Sequence, residues 1–321
     1  MLSSTKMNIS FHWLLAVYAI VPILLGIVLI DIFVLDRILQ PYTSVTLVTA
    51  FLYLLFFELP HVFASFFSFA DKEYLRFYKK KLLHVLPIIL VVGLVVTYIN
   101  LNLGIVLMVA ATLYHVVMQQ TGIATMIIGV KHVLYTPWSL SAVTLAISIQ
   151  LYLLEFNFIT NLPPSYVTIF FTAILILFLV LSSIIYLQTK KGIGRKYLVA
   201  TIFMLLSGVL FFLLGYVFFS IFVLRFTHDI TAFIFYITHD TNRNADSMKN
   251  NIYKVLAPLK IPIIILLPVL GMLFAYTIRY ELNIYTGIVY AGILISFPHY
   301  YIESFMWKRE SLHRKQLAFT Q

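Results

Sequence analysis

In the stretch FFELPHVFASF, Glu58 and His61 stand three residues apart, and in SFPHYYIESFM, His299 and Glu303 stand four apart. On a helix either spacing puts the two side chains on one face. A Glu-x-x-His pair is also the unit that di-iron helical bundles project inward. Each histidine follows a proline, Pro60 or Pro298, and a proline inside a helix removes a hydrogen bond and kinks the axis. Between these stretches lie TLYHVVMQQTG, with His115 and Gln119 at i and i+4, and RFTHDITAFIFYITHDTNRN, with His228–Asp229 and His239–Asp240. Neutral imidazole is the commonest protein metal ligand and suits iron, zinc, copper and nickel. The expected metal ligands are therefore His61, His115, His228 and His299, with His239 a further candidate. Glu58 and Glu303 are the expected catalytic carboxylates, acting as ligand or base. Gln119, Asp229 and Asp240 are the expected outer partners that orient imidazoles. His228 and His239 point the same way on a helix but lie about 16 Å apart along its axis, so they share one ion only if the helix breaks. Interhelical hydrogen bonding is the competing use of all these residues.

The elements that carry these side chains are apolar. Of 321 residues, 62% are hydrophobic and 11% charged, against about 45–50% and about 25% in soluble domains. The absence of cysteine excludes disulfides, thiolate catalysis and cysteine-based zinc or iron–sulfur sites. A helix needs about 20 apolar residues to cross a bilayer. Such runs occur at 12–35, 44–70, 82–100, 103–129, 136–156, 165–187, 197–216, 219–241, 261–279 and 284–306. The split between the seventh and eighth rests on Gly215 and Tyr216 alone. With the N-terminus in the cytoplasm, 19 of the 22 lysines and arginines fall in inner segments, as the positive-inside rule expects. Only Arg37 and Arg279 lie outside, and Arg225 sits within a run. The reading is an all-α, polytopic helical bundle of about ten transmembrane helices with both termini cytoplasmic. It forms a single transmembrane domain over 1–321, with a short basic tail at 307–321. The net charge of +10 then reports topology, and no nucleic-acid partner is implied. The candidate ligands fall in four of the even-numbered runs, all crossing in the same direction, and intramembrane ionisable residues are usually functional. His12, His84, His132 and His313 read as surface or interface residues. No H-x-x-H-H box, H-E-x-x-H, G-x-S-x-G, P-loop or G-x-G-x-x-G is present, and no lysine lies in the middle of a run.

The ordered series of Pro-His at 60–61, His115 in mid-run, a run with His228 and His239, and a late Pro-His at 298–299 resembles the bacterial β-carotene 15,15′-dioxygenase family (the Brp/Blh type). That resemblance implies a polytopic fold, histidines from several helices holding iron, and O2-dependent cleavage of the central double bond of β-carotene to two retinals. Where that family has Pro-His-Gly-Ala-x-Asp, this chain reads PHVFAS, which leaves another lipid-soluble substrate open. Three functions are weighed. The first is a non-haem iron oxygenase or oxidoreductase of the bacterial inner membrane. It would hold one or two ions, zinc and copper being the other metals that suit the ligands, and would use O2 and a lipid-soluble substrate. The second is a transporter or channel for a metal ion or proton along a ladder of histidines and carboxylates. The third is a non-catalytic lipid-binding or scaffold protein.

Overall fold

The computed structural model describes residues 6–44, 49, 52–128, 133–153, 162–281 and 286–320; Lys131 and His132 lie outside the described residues. Helix α1 spans Phe11–Phe33, α2 Leu54–Ala70, α3 Lys72–Ile99 and α4 Leu101–Ile128. Next come α5 over Tyr135–Leu153, α6 over Pro164–Gln188, α7 over Ile193–Leu214 and α8 over Val217–Ala245. The last are α9 over Asn251–Leu259, α10 over Ile263–Glu281 and α11 over Thr286–Met306. Two short strands, β1 (Asn8–Ser10) and β2 (Ala318–Thr320), pair in parallel. Among the described residues, six helices, α1, α3, α4, α6, α7 and α8, are long and apolar enough to cross a membrane. Helices α9 and α10 meet at a bend of 108° and make a seventh if they form one span. The chain is an all-α, multi-pass membrane protein, and the remaining apolar runs also carry helices, of which α2 is shorter.

Local chemistry explains two of the breaks. Gly215 ends α7 with φ 84, a left-handed conformation that glycine adopts without steric cost, so the seventh and eighth runs are separate helices. Helix α2 opens with a π-turn over Leu54–Glu58, closed by the Leu59 N–H on the Leu54 carbonyl. Pro60 has no N–H to offer, and the wider turn lets a neighbouring donor serve this stretch before the α-helix starts at Leu59. Such π-turns recur at functional sites.

Where the sequence suggests one domain, the chain forms two compact units. The first comprises Met1–Ser10, Leu47–Ala111 and Asp229–Thr320; the second comprises Phe11–Thr46 and Thr112–His228. In the first unit α10 packs along α2, and α11 packs on α3 and α2, around Phe67, Tyr74, Tyr78, Tyr236 and Phe305. Gly271 permits the α2–α10 approach: a Cβ there would lie 2.6 Å from the Pro60 carbonyl oxygen and 2.8 Å from its Cα. In the second unit α5 packs on α6 and α7. Its fully buried Trp138 donates from Nε1 to Ser182 Oγ at 2.9 Å.

Candidate metal centre

In the first unit, α2 and α11 bring His61 and His299 together. Their Nε2 atoms are 3.2 Å apart and the rings meet edge to face, centroids 4.8 Å apart. Both side chains are buried. The outer nitrogens decide the tautomers. His61 Nδ1 lies 3.0 Å from Asp229 Oδ1 and 3.4 Å from the Phe57 carbonyl oxygen. Both neighbours are acceptors, so Nδ1 carries the proton. Asp229 also accepts from Tyr53 Oη at 2.6 Å. His299 Nδ1 lies 3.0 Å from Ser65 Oγ, and Ser65 spends its own proton on the Val62 carbonyl at 2.6 Å. Ser65 therefore accepts, and His299 too is protonated at Nδ1.

Each Nε2 then presents a lone pair to the other across 3.2 Å. Two lone pairs at that range repel unless a cation lies between them, a metal ion or a proton. Two imidazoles on one metal, each bonded at 2.0–2.1 Å and separated by about 90–110°, would stand about 2.8–3.4 Å apart. The observed separation fits that value. A carboxylate lies near one member of the pair: ligand atoms of His299 and Glu303, one turn apart on α11, lie within 4.8 Å of each other. Glu303 is buried and accepts a hydrogen bond from Tyr236 Oη. Imidazole suits iron, zinc, copper and nickel. Glu58 ends the π-turn three residues before His61 and is half-buried.

In the second unit His115 of α4 and His228 of α8 also form a pair, edge to face with centroids 4.9 Å apart. His228 is buried and His115 half-buried, and Gln119 follows His115 by one turn. Members of the groups able to hold a metal ion are thus present in both units: His61, His299 and Glu303 in the first, His115 and His228 in the second.

His239 belongs elsewhere. Its Nε2 bonds Tyr74 Oη at 2.9 Å and its Nδ1 bonds Asp240 Oδ1 at 2.7 Å, so both ring nitrogens are engaged, and among the described residues His239 is in none of the groups able to hold a metal ion. Asp240 also accepts from Tyr253 Oη. The segment HDTNRN, residues 239–244, is a polar hub of the first unit. Asn242 exchanges hydrogen bonds with Met7 and donates to the Gln316 carbonyl at 2.8 Å. Arg243 pairs with Asp71 at 2.7 Å and Glu73 at 2.6 Å. Asn244 accepts from the N–H groups of Lys249 and Asn250. One helix end thereby gathers both chain termini, the start of α3 and the approach to α9.

His12 and His84 are exposed, in line with their reading as surface residues. His313 is not: it is fully buried, because the tail folds back onto the hub. The residues that sequence reasoning missed are Tyr53 and Ser65, the partners of Asp229 and His299. The legible signal was the pair Ser65 and Ser68, polar and three apart within an otherwise apolar helix. No protein-family model, curated protein or solved structure matches this chain.

Proposed function

We propose that this protein is a membrane-embedded oxidoreductase that uses a non-haem metal, iron by preference, and O2 on a lipid-soluble substrate. One observation carries the reading: two imidazoles whose Nδ1 protons are committed to Asp229 and Ser65 turn their Nε2 lone pairs on each other at 3.2 Å. His61 and His299 would hold the ion, with Glu303 one turn beyond His299, and the second unit by itself carries the imidazole pair of His115 and His228. Bound ferrous iron would supply the one-electron chemistry that activates O2. The chain's own groups prepare the ligands. Asp229 keeps the proton on His61 Nδ1 and raises the basicity of its Nε2, the role of a carboxylate behind a metal-bound histidine. Ser65 does the same for His299 without charge. Tyr236 donates to Glu303 and orients it. The site's apolar, aromatic setting excludes water and admits a substrate from lipid.

The resemblance to β-carotene dioxygenases supports a carotenoid or similar lipid as substrate. The charge asymmetry supports ten spans with both termini in the cytoplasm of a bacterium, and hence the inner membrane. The test is metal analysis after purification in mild detergent without chelators. One or two iron ions per chain are expected, reduced to background in His61→Ala and His299→Ala, together with O2 consumption that depends on an added carotenoid. A folded protein that neither retains nor takes up iron, zinc or copper refutes the reading.

A further inference from the structure

The chain after α11 does not trail into solvent. The His313 ring lies against the Tyr74 ring, centroids 4.0 Å apart, and stacks on His239 at 4.7 Å and 19°. Phe69, Tyr78 and Trp307 close the cage. His313 Nε2 lies 3.2 Å from Ser68 Oγ, and Ser68 donates its proton to the Ser65 carbonyl at 2.8 Å. Ser68 therefore accepts from an Nε2–H. His313 Nδ1 lies 3.3 Å from Tyr78 Oη. A neutral ring protonated at Nε2 satisfies both nitrogens, with Nδ1 taking the Tyr78 hydroxyl proton. Beyond His313 the tail is held by Asn242 on the Gln316 carbonyl and by the pairing of β2 with β1.

We propose that His313 is an acid-released latch: the neutral imidazole seats the C-terminal segment 307–320 in its cage, and protonation ejects it. The groups that face the ring come from three directions. Ser68 and Phe69 follow the last turn of α2, Tyr74 and Tyr78 come from α3, and His239 and Arg243 come from α8. The Arg243 guanidinium stands 4.7 Å over the same Tyr74 ring that His313 covers. The nearby carboxylates are committed: Asp240 to His239 and Tyr253, Asp71 and Glu73 to Arg243. A proton added to His313 would thus be buried, facing one cation and a second imidazole, with no carboxylate bonded to it among the described residues. Burial first, then His239 and Arg243, hold the His313 imidazole well below the ordinary histidine value.

The sign follows from linkage. A depressed value in the docked state means that docking is complete above the free histidine value of about 6.5. Docking then weakens as pH falls below that value, approaching tenfold per pH unit until the docked value is reached. Hydrogen exchange of 308–320 in detergent, corrected for intrinsic rates, reads this directly. Protection of the tail is expected to fall about tenfold between pH 7.5 and pH 5.5. In His313→Gln, whose amide can donate to Ser68 and accept from Tyr78 without titrating, protection should not change with pH. Equal protection of the wild type at both pH values, or the same fall in the variant, overturns the proposal. If the variant undocks the tail at every pH, the wild type decides by NMR with 13C-labelled histidine, the His313 signal being the one missing from the variant. A titration below about 6 sustains the latch, and one at or above the free value ends it.

Discussion

Replacing Asp229 by Asn separates the role of its charge from its shape. In the native protein one carboxylate accepts from His61 Nδ1–H at 3.0 Å and from Tyr53 Oη at 2.6 Å. An amide has one acceptor oxygen for these two donors. If the oxygen stays with Tyr53, the new NH2 group faces His61 Nδ1 and drives the imidazole to its other tautomer. Its Nε2 then carries the proton, and the lone pair aimed at His299 is gone. Loss of such an outer partner costs 10–100-fold in metal affinity, or about 1.4–2.7 kcal/mol. The lost hydrogen bond to a charged acceptor adds about 1.5–3 kcal/mol of fold stability. The assay is chelator competition for iron and zinc on purified Asp229→Asn in detergent, with thermal unfolding alongside. Ser65→Ala, which removes a neutral partner of His299 in the same way, should fall at the low end of the affinity range. A folded Asp229→Asn with wild-type affinity would refute the tautomer argument. Asp229 would then play no part in setting the tautomer of a ligand histidine.

Three further outcomes follow from the same geometry. Gly271→Ala places a methyl 2.6 Å from the Pro60 carbonyl oxygen. It should cost about 1–3 kcal/mol by overpacking and lower metal content by displacing His61, read by thermal unfolding and metal analysis of the same preparation. Tyr236→Phe keeps the ring against Trp307 but removes the donor to buried Glu303. A loss of about 1–3 kcal/mol in stability is expected, with weaker iron binding by competition. Ser182→Ala breaks only the hydrogen bond from Trp138 Nε1 in the second unit. It should cost about 1 kcal/mol and leave metal content unchanged, which makes it the control for non-specific loosening.

Much of the candidate site was legible before any coordinates. Glu303, His61, His115, His228 and His299 stood out because ionisable groups are rare in apolar runs, and rarity in hydrocarbon implies a use. Gly215 marked the break between α7 and α8 because a left-handed residue without Cβ is what a helix end requires. Pro60 announced an irregularity in α2, and its π-turn answers the missing N–H. His239 and His313 were harder. Their types and spacing suit a metal as well as a hydrogen-bond network, and only the positions of Tyr74, Asp240, Ser68 and Tyr78 assign them to the network.

Composition and order along the chain determined that this protein is helical, membrane-borne and equipped with imidazoles and carboxylates inside its apolar helices. Tertiary structure alone decided the partnerships: His61 with His299 across 238 residues, Asp229 behind His61, Ser65 behind His299, and the tail locked onto the end of α8. The reason is physical. A helix in lipid is apolar on every side, so it carries no stripe to say which face meets a neighbour. Small residues and hydrogen bonds choose that face, and they act only once Gly271 has let α10 close on Pro60 and the helices are packed.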